Sequence, residues 1–121
     1  MHLTTLSFPV KSAHLAQFLS WYGTSIKTTK RFSGCLDVEV HVEKEALNVQ
    51  ENTATNHSGT TVRVLTLQTW ADIDSHKTYL SYREATGYRS TYAKFISGSV
   101  DSTSFTKAKF PSDETEFFKY E

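Results

Sequence analysis

Between Leu36 and Val42 the residues alternate without a break: Leu36, Val38, Val40 and Val42 fall on one side, and Asp37, Glu39, His41 and Glu43 on the other. A period of two over this length is that of an extended chain with one covered face and one wet face, so the chain must build a sheet. The segment before it has another period. Leu15, Phe18, Leu19, Tyr22 and Ile26 recur at i, i+3, i+4, i+7 and i+11, the apolar stripe of an amphipathic helix. Ser12 is placed to cap its start, and Lys27, Lys30 and Arg31 gather where positive charge suits the helix dipole. Gly34 lets the chain turn between the two.

The remaining elements follow from the same rules. Leu6, Phe8 and Val10 against Thr5 and Ser7 predict a first strand over 3–10 that ends at Pro9. The polar stretch 48–59, rich in Asn, Thr, Ser and His, reads as a long loop. Thr61 to Trp70 predicts a third strand with apolar residues on both faces, Val62, Val64 and Trp70 against Leu65 and Leu67. Asp72 or Asp74 starts a helix carried by Ile73, His76, Tyr79, Leu80 and Arg83; Gly87 interrupts it, and Tyr88, Tyr92, Phe95 and Ile96 resume up to Gly98. Val100 to Phe110 predicts a weaker edge strand, and the acidic, aromatic segment 111–121 is a tail to a single domain over 1–110.

The order is strand, helix, strand, strand, helix, strand. Right-handed crossovers close a βαββαβ order into an antiparallel sheet with both helices on one face, a ferredoxin-like α+β fold. The opposite face is then bare. Because the third strand is apolar on both sides, a second copy is the expected cover, which predicts a homodimer with its sheets face to face. The carboxylates of the second strand conflict with that cover if they share its face.

Composition narrows the function. Thirteen basic residues balance thirteen acidic ones, so the chain lacks the positive field that backbone-driven nucleic-acid binding relies upon. The first 36 residues hold no Asp or Glu, and Asp37, Glu39, Glu43, Glu45 and Glu51 follow closely, which reads as two solvated faces of opposite sign. Cys35 is alone and pairs with nothing inside the chain, in keeping with a reducing compartment. No apolar run has the length of a membrane span and no secretory leader precedes the first strand, so no membrane partner and a cytoplasmic address are expected. Eight Phe, six Tyr and two Trp exceed what a minimal core needs, which points to an aromatic-lined pocket or interface. Asp37, Glu39, His41 and Glu43 share a strand face about 7 Å apart between neighbours, too far for one strand to complete a metal shell, so no metal site is expected.

Three segments carry a resemblance. Gly34-Cys35-Leu36-Asp37-Val38-Glu39-Val40, Leu67 to Trp70 before an Asp/Ser-rich helix start, and Tyr79-Leu80-Ser81-Tyr82-Arg83-Glu84 with Gly87 together resemble the antibiotic-biosynthesis monooxygenase family over residues 3–105. The resemblance implies a dimeric α+β barrel with a pocket between sheet and helices in each subunit. It implies oxidation of a small phenolic, quinol or polyketide-like aromatic by molecular oxygen, with no cofactor. An electron-rich aromatic anion can itself reduce oxygen, so an apolar pocket, a base and a few hydrogen-bond donors suffice. On this basis Trp70 borders the pocket and His76 is the candidate base near neutral pH, where an exposed helix histidine is its ordinary role. Thr5, Tyr79 and Tyr82 are candidate substrate-binding donors. Tyr79 stands where some members carry a His, a departure from their chemistry. Haem degradation, known in relatives of this fold, does not suit a chain with no Asn in its first strand and Leu80 where the His is expected. The alternative is a non-catalytic dimeric protein that binds a small ligand in the same pocket.

Overall fold

The computed structural model describes residues 1–44 and 61–109, and the loop expected over 48–59 and the tail 111–121 lie outside them. Along the chain come β1 (His2–Lys11), α1 (Leu15–Arg31), β2 (Cys35–Val42), β3 (Thr61–Trp70), α2 (Ile73–Ala85), α3 (Tyr88–Tyr92) and β4 (Asp101–Thr106). The four strands form one antiparallel sheet in the order β2-β3-β1-β4, the arrangement expected of two interleaved right-handed crossovers. The fold is α+β and ferredoxin-like.

Strand parity decides what is covered. In β1 and β3 the even-numbered residues Thr4, Phe8, Val10, Val62, Val64, Thr66, Gln68 and Trp70 are buried, and α1 and α2 both lie over that face. Phe18, Tyr22 and Ile26 of the α1 stripe close on Phe8, Val10, Val38 and Val64 to make the core. Phe8 meets Phe18 and Tyr22 at ring separations of 5.3 and 5.2 Å, the tilted and edge contacts that aromatic quadrupoles favour. Among the described residues, no helix lies over the odd-numbered face. Leu3, Leu65 and Phe105 stand exposed there at 36%, 37% and 47%, beside the solvent-side groups Asp37, Glu39 and His41 of β2. The apolar middle and the carboxylate edge therefore do share one face, as the sequence conflict anticipated.

Several boundaries differ from the sequence reading. Pro9 does not end β1, which continues to Lys11. β4 pairs with β1 only as far as Ser7, so the ring nitrogen of Pro9 lies past the end of β4, where no ladder donor is lost. Beyond it the chain is stitched instead by Ser97, whose N–H donates to the Pro9 carbonyl at 2.8 Å, and by the Lys11 N–H donating to the Phe95 carbonyl at 2.9 Å. Ser12 does not cap α1: it opens a single 3-10 turn, Ser12–His14, and α1 starts one turn later with no side-chain cap. Leu36 does not share the covered face, because an irregularity in pairing between Cys35 and Asp37 turns it outward and leaves it 59% exposed. β4 is shorter than expected, and the second helical piece ends at Tyr92 instead of Gly98.

Two glycines behave as the breaks they were read to be. Gly34 sits at φ 90° in the turn into β2, and Gly87 at φ 73° separates α2 from α3. Asp72 caps α2, its carboxylate accepting the Ser75 N–H at 2.8 Å, and that bond lowers its acid from the ordinary value.

Candidate functional site

Between the helix-covered face of the sheet and the α2–α3 pair lies a cavity of about 630 Å³, within the ~300–1,000 Å³ usual for small-molecule sites. Its floor is Leu6, Phe8 and Gln68 of the sheet, and its walls include Tyr79 and Arg83 of α2 and Tyr88 and Tyr92 of α3. The local sequence explains the shape. Gly87 breaks the helix, so α3 departs at an angle and holds two tyrosines at i and i+4 over the gap, their rings edge-on at 5.7 Å.

Arg83 is the most heavily bonded side chain on the lining. Its Nε donates to the Tyr79 hydroxyl at 2.8 Å, and its Nη2 donates to the Ser25 carbonyl, Ser25 Oγ and Thr29 Oγ1 at 2.9, 3.0 and 3.0 Å. Its guanidinium lies over the Tyr88 ring, 4.0 Å from the centroid. Ser25 Oγ in turn donates to the Tyr88 hydroxyl at 2.9 Å. Burial pushes the Tyr88 hydroxyl up to about 12, so it stays protonated at neutral pH.

Behind this cavity lies a second cluster. His76 of α2 is 6% exposed and its Nδ1 lies 3.0 Å from Nε2 of His2, with Thr4 Oγ1 3.3 Å from the His76 nitrogen and 3.1 Å from the His2 nitrogen. Trp70 stacks on His76 at 5.3 Å and 27°, and its Nε1 donates to the Gln68 amide oxygen at 3.1 Å. One of the two facing imidazole nitrogens must give the proton and the other accept it, so both rings cannot be charged together. Burial first, and repulsion from His2 second, push His76 down to about 4.

The five residues singled out from the sequence are thus scattered. Tyr79 lines the cavity. Trp70 and His76 sit together in the cluster behind it, joined to the lining through Gln68 and through ring contact between Trp70 and Tyr79 at 5.0 Å. His76 is neither exposed nor poised near neutral pH. Tyr82 lies on the outer side of α2 against Phe32, 40% exposed. Thr5 is on the uncovered sheet face, bonded to the Thr103 carbonyl at 3.4 Å, because odd residues of β1 point away from the helices; no hydroxyl there reaches the cavity.

Sequence reading missed Gln68, Arg83 and Tyr88 as lining residues, and His2 and Thr4 as partners of His76. A signal existed for Arg83: it is a charge placed inside the apolar stripe of α2. On the outer face, Glu39 and His41 contact each other at 3.1 Å and Glu43 accepts the Arg63 N–H at 2.9 Å. Among the described residues no three His, Cys, Asp or Glu side chains converge as a metal shell requires. Nor, among them, is any helix long and apolar enough to cross a membrane.

No family model matches the sequence, and neither does any curated protein. Solved structures do match in fold. An antibiotic biosynthesis monooxygenase is similar with a TM-score of 0.69 at 11% identity, over 90% of this chain and 100% of that one. SnoaB, a cofactor-independent oxygenase from Streptomyces nogalater, in a mutant form, is similar with a TM-score of 0.64 at 14% identity, over 92% and 97%. A monooxygenase of Streptomyces coelicolor in complex with the ligand nanaomycin D is similar with a TM-score of 0.58 at 14% identity, over 92% of each chain. At these identities the likeness establishes the fold: the chain has the α+β architecture of the antibiotic biosynthesis monooxygenases.

Proposed function

We propose that the protein is a cofactor-free monooxygenase that oxidises a small phenolic, quinol or polyketide-like aromatic with molecular oxygen. The observation that carries this reading is the cavity itself, a space of about 630 Å³ walled by Phe8, Tyr88, Tyr92 and Ile96 and set with the polar groups of Gln68, Tyr79 and Arg83. Aromatic and aliphatic walls hold a flat ring, while a few fixed donors orient its oxygens. The fold neighbours support it, since one is named a cofactor-independent oxygenase and another holds nanaomycin D.

The chemistry needs little from the protein. A phenol that loses its proton becomes an electron donor; one electron passes to dioxygen, the two radicals join at carbon, and the O–O bond breaks as the carbon's hydrogen leaves. A phenol and O₂ thus give a quinone and water. The site contributes by holding the ring beside oxygen and by stabilising negative charge with preorganised donors, where displaced water raises their effect. His76, held neutral, and Trp70 serve by fixing Gln68 and Tyr79 from behind. In this reading the protein is a cytoplasmic homodimer with no nucleic-acid partner, its exposed Leu3, Leu65 and Phe105 hidden between two sheets.

One observation favours the alternative of a ligand-binding or accessory protein. Among the described residues the cavity is poor in bases: the Tyr88 hydroxyl stays protonated, the one carboxylate on the lining, Glu84, is exposed, and His76, neutral and set behind the lining, is a weak proton acceptor. An oxygen-electrode assay of metal-free protein against hydroquinones, anthrones and phenols separates the two. Oxidation predicts consumption of one O₂ per product formed, reduced in His76→Ala and Trp70→Phe. Saturable binding with no oxygen uptake across the panel would replace it with the binding reading.

A further inference from the structure

A guanidinium carries five N–H donors and accepts nothing, so every bond around Arg83 has a known direction. Nε and Nη2 are used by Tyr79, Ser25 and Thr29. Nη1 has no hydrogen-bond partner among the described residues, and no carboxylate among them pairs with Arg83. Glu84 also lines the cavity, but it is exposed and makes no ion pair with it. The direction propagates. Ser25 Oγ accepts from Nη2 and so sends its own proton to the Tyr88 oxygen, which leaves the Tyr88 proton without an acceptor among the described residues. Arg83 and Tyr88 both face the cavity. Two donors, one of them charged and without a carboxylate partner among the described residues, are therefore held on one wall by a relay anchored in α1.

A half-buried cation without a carboxylate partner is costly unless something supplies the opposite charge. Among the described residues, the cavity that Arg83 lines is open space beside it. We infer that the ligand is an aromatic bearing an ionised oxygen, a phenolate, enolate or carboxylate, which Nη1 of Arg83 and the Tyr88 hydroxyl bind together. This rests on the reading that the cavity is the ligand site, and it deepens it: the wall that selects the ligand also holds the aromatic as its anion, the form that gives electrons to oxygen. Such a wall lowers the acidity constant exponent of a bound phenol without a strong base in contact with it, the proton leaving to water at the cavity mouth.

The test uses two probes of like shape, anionic 2-naphthoate and neutral 2-naphthamide, titrated calorimetrically into the full-length protein under nitrogen. Charge-assisted bonds from two fixed donors predict that naphthoate binds about tenfold more tightly, or better. Arg83→Gln brings the ratio to about one, and Arg83→Lys keeps part of it. Because Arg83 also ties α2 to α1, Tyr88→Phe is the second variant: it retains the ring and removes one donor, and it weakens naphthoate severalfold and naphthamide less. Equal binding of the two probes by the unaltered protein, binding of neither, or a preference that survives Arg83→Gln and disappears in Arg89→Gln, at the exposed α3 arginine that also lines the cavity, would each overturn the proposal. Neither probe is oxidised under nitrogen, so a protein that prefers naphthoate yet consumes no oxygen with any phenol keeps this inference and loses the oxygenase reading.

Discussion

Replacing His76 by Gln should flatten the acid limb of the stability profile. In the folded protein burial and His2 hold His76 down to about 4, against an ordinary value of 6.5. The unfolded chain therefore takes up a proton near pH 6.5 that the folded chain refuses until about 4, so stability is fully present above pH 6.5 and is lost as pH falls towards 4. At ~1.4 kcal/mol per unit the gap caps the effect at about 3 kcal/mol. Integrating proton uptake down to pH 5 gives a loss of about 2 kcal/mol from this one ring. The assay is urea unfolding of the unaltered protein and His76→Gln at pH 7.5, 6 and 5, with the difference between the two slopes as the readout, in which groups remote from residue 76 cancel. His76→Gln is less stable at pH 7.5, yet should lose about 2 kcal/mol less on going to pH 5. Parallel profiles would refute the reasoning, because they would mean that His76 takes its proton as readily folded as unfolded.

Three further outcomes follow from named contacts. Thr66→Val should cost about 1–3 kcal/mol in chemical denaturation by stranding the buried Tyr22 hydroxyl it meets at 2.7 Å, and adding Tyr22→Phe should recover part of that loss. Gly34→Ala should lower the thermal midpoint more than Gly87→Ala: both carry positive φ, but a Cβ at Gly34 runs into the Ser75 side chain, whereas none lies near Gly87. Adding Ser75→Gly should close most of the gap between them. Phe105→Asp, on the uncovered sheet face, should shift the light-scattering mass from dimer to monomer with the far-ultraviolet spectrum unchanged; an unchanged mass would place any dimer contact elsewhere.

How much of this the chain announces depends on the reach of each interaction. The unbroken alternation through Val42, the apolar stripe from Leu15 to Ile26 and the glycine between α2 and α3 are local patterns, and each became the element it implied. Thr5 was within reach too: Phe8 and Val10 mark the even side of β1 as covered, so an odd-numbered threonine belongs to the other face. His76 was not, because its burial follows from His2, 74 positions away, a neighbour that no window of sequence reveals. For Arg83 the charge inside the apolar stripe was visible, but its bonds to Ser25 and Thr29 cross a helix pair and were not. Pro9 misled because a proline is read as a stop, while its tolerance depends on where β4 ends.

Ser25 and Thr29 lie one turn apart on α1, and the same guanidinium nitrogen reaches both. That pairing works like the notches of a ruler. A slide of α1 by a single residue along the sheet carries both hydroxyls out of reach at once, and with them the group that steers the Tyr88 proton. A greasy contact tolerates such slippage, since one methyl replaces another at little loss. Here the alignment of two helices and the aim of two donors are one coordinate, so whatever fills the cavity also reads whether α1 and α2 are in step.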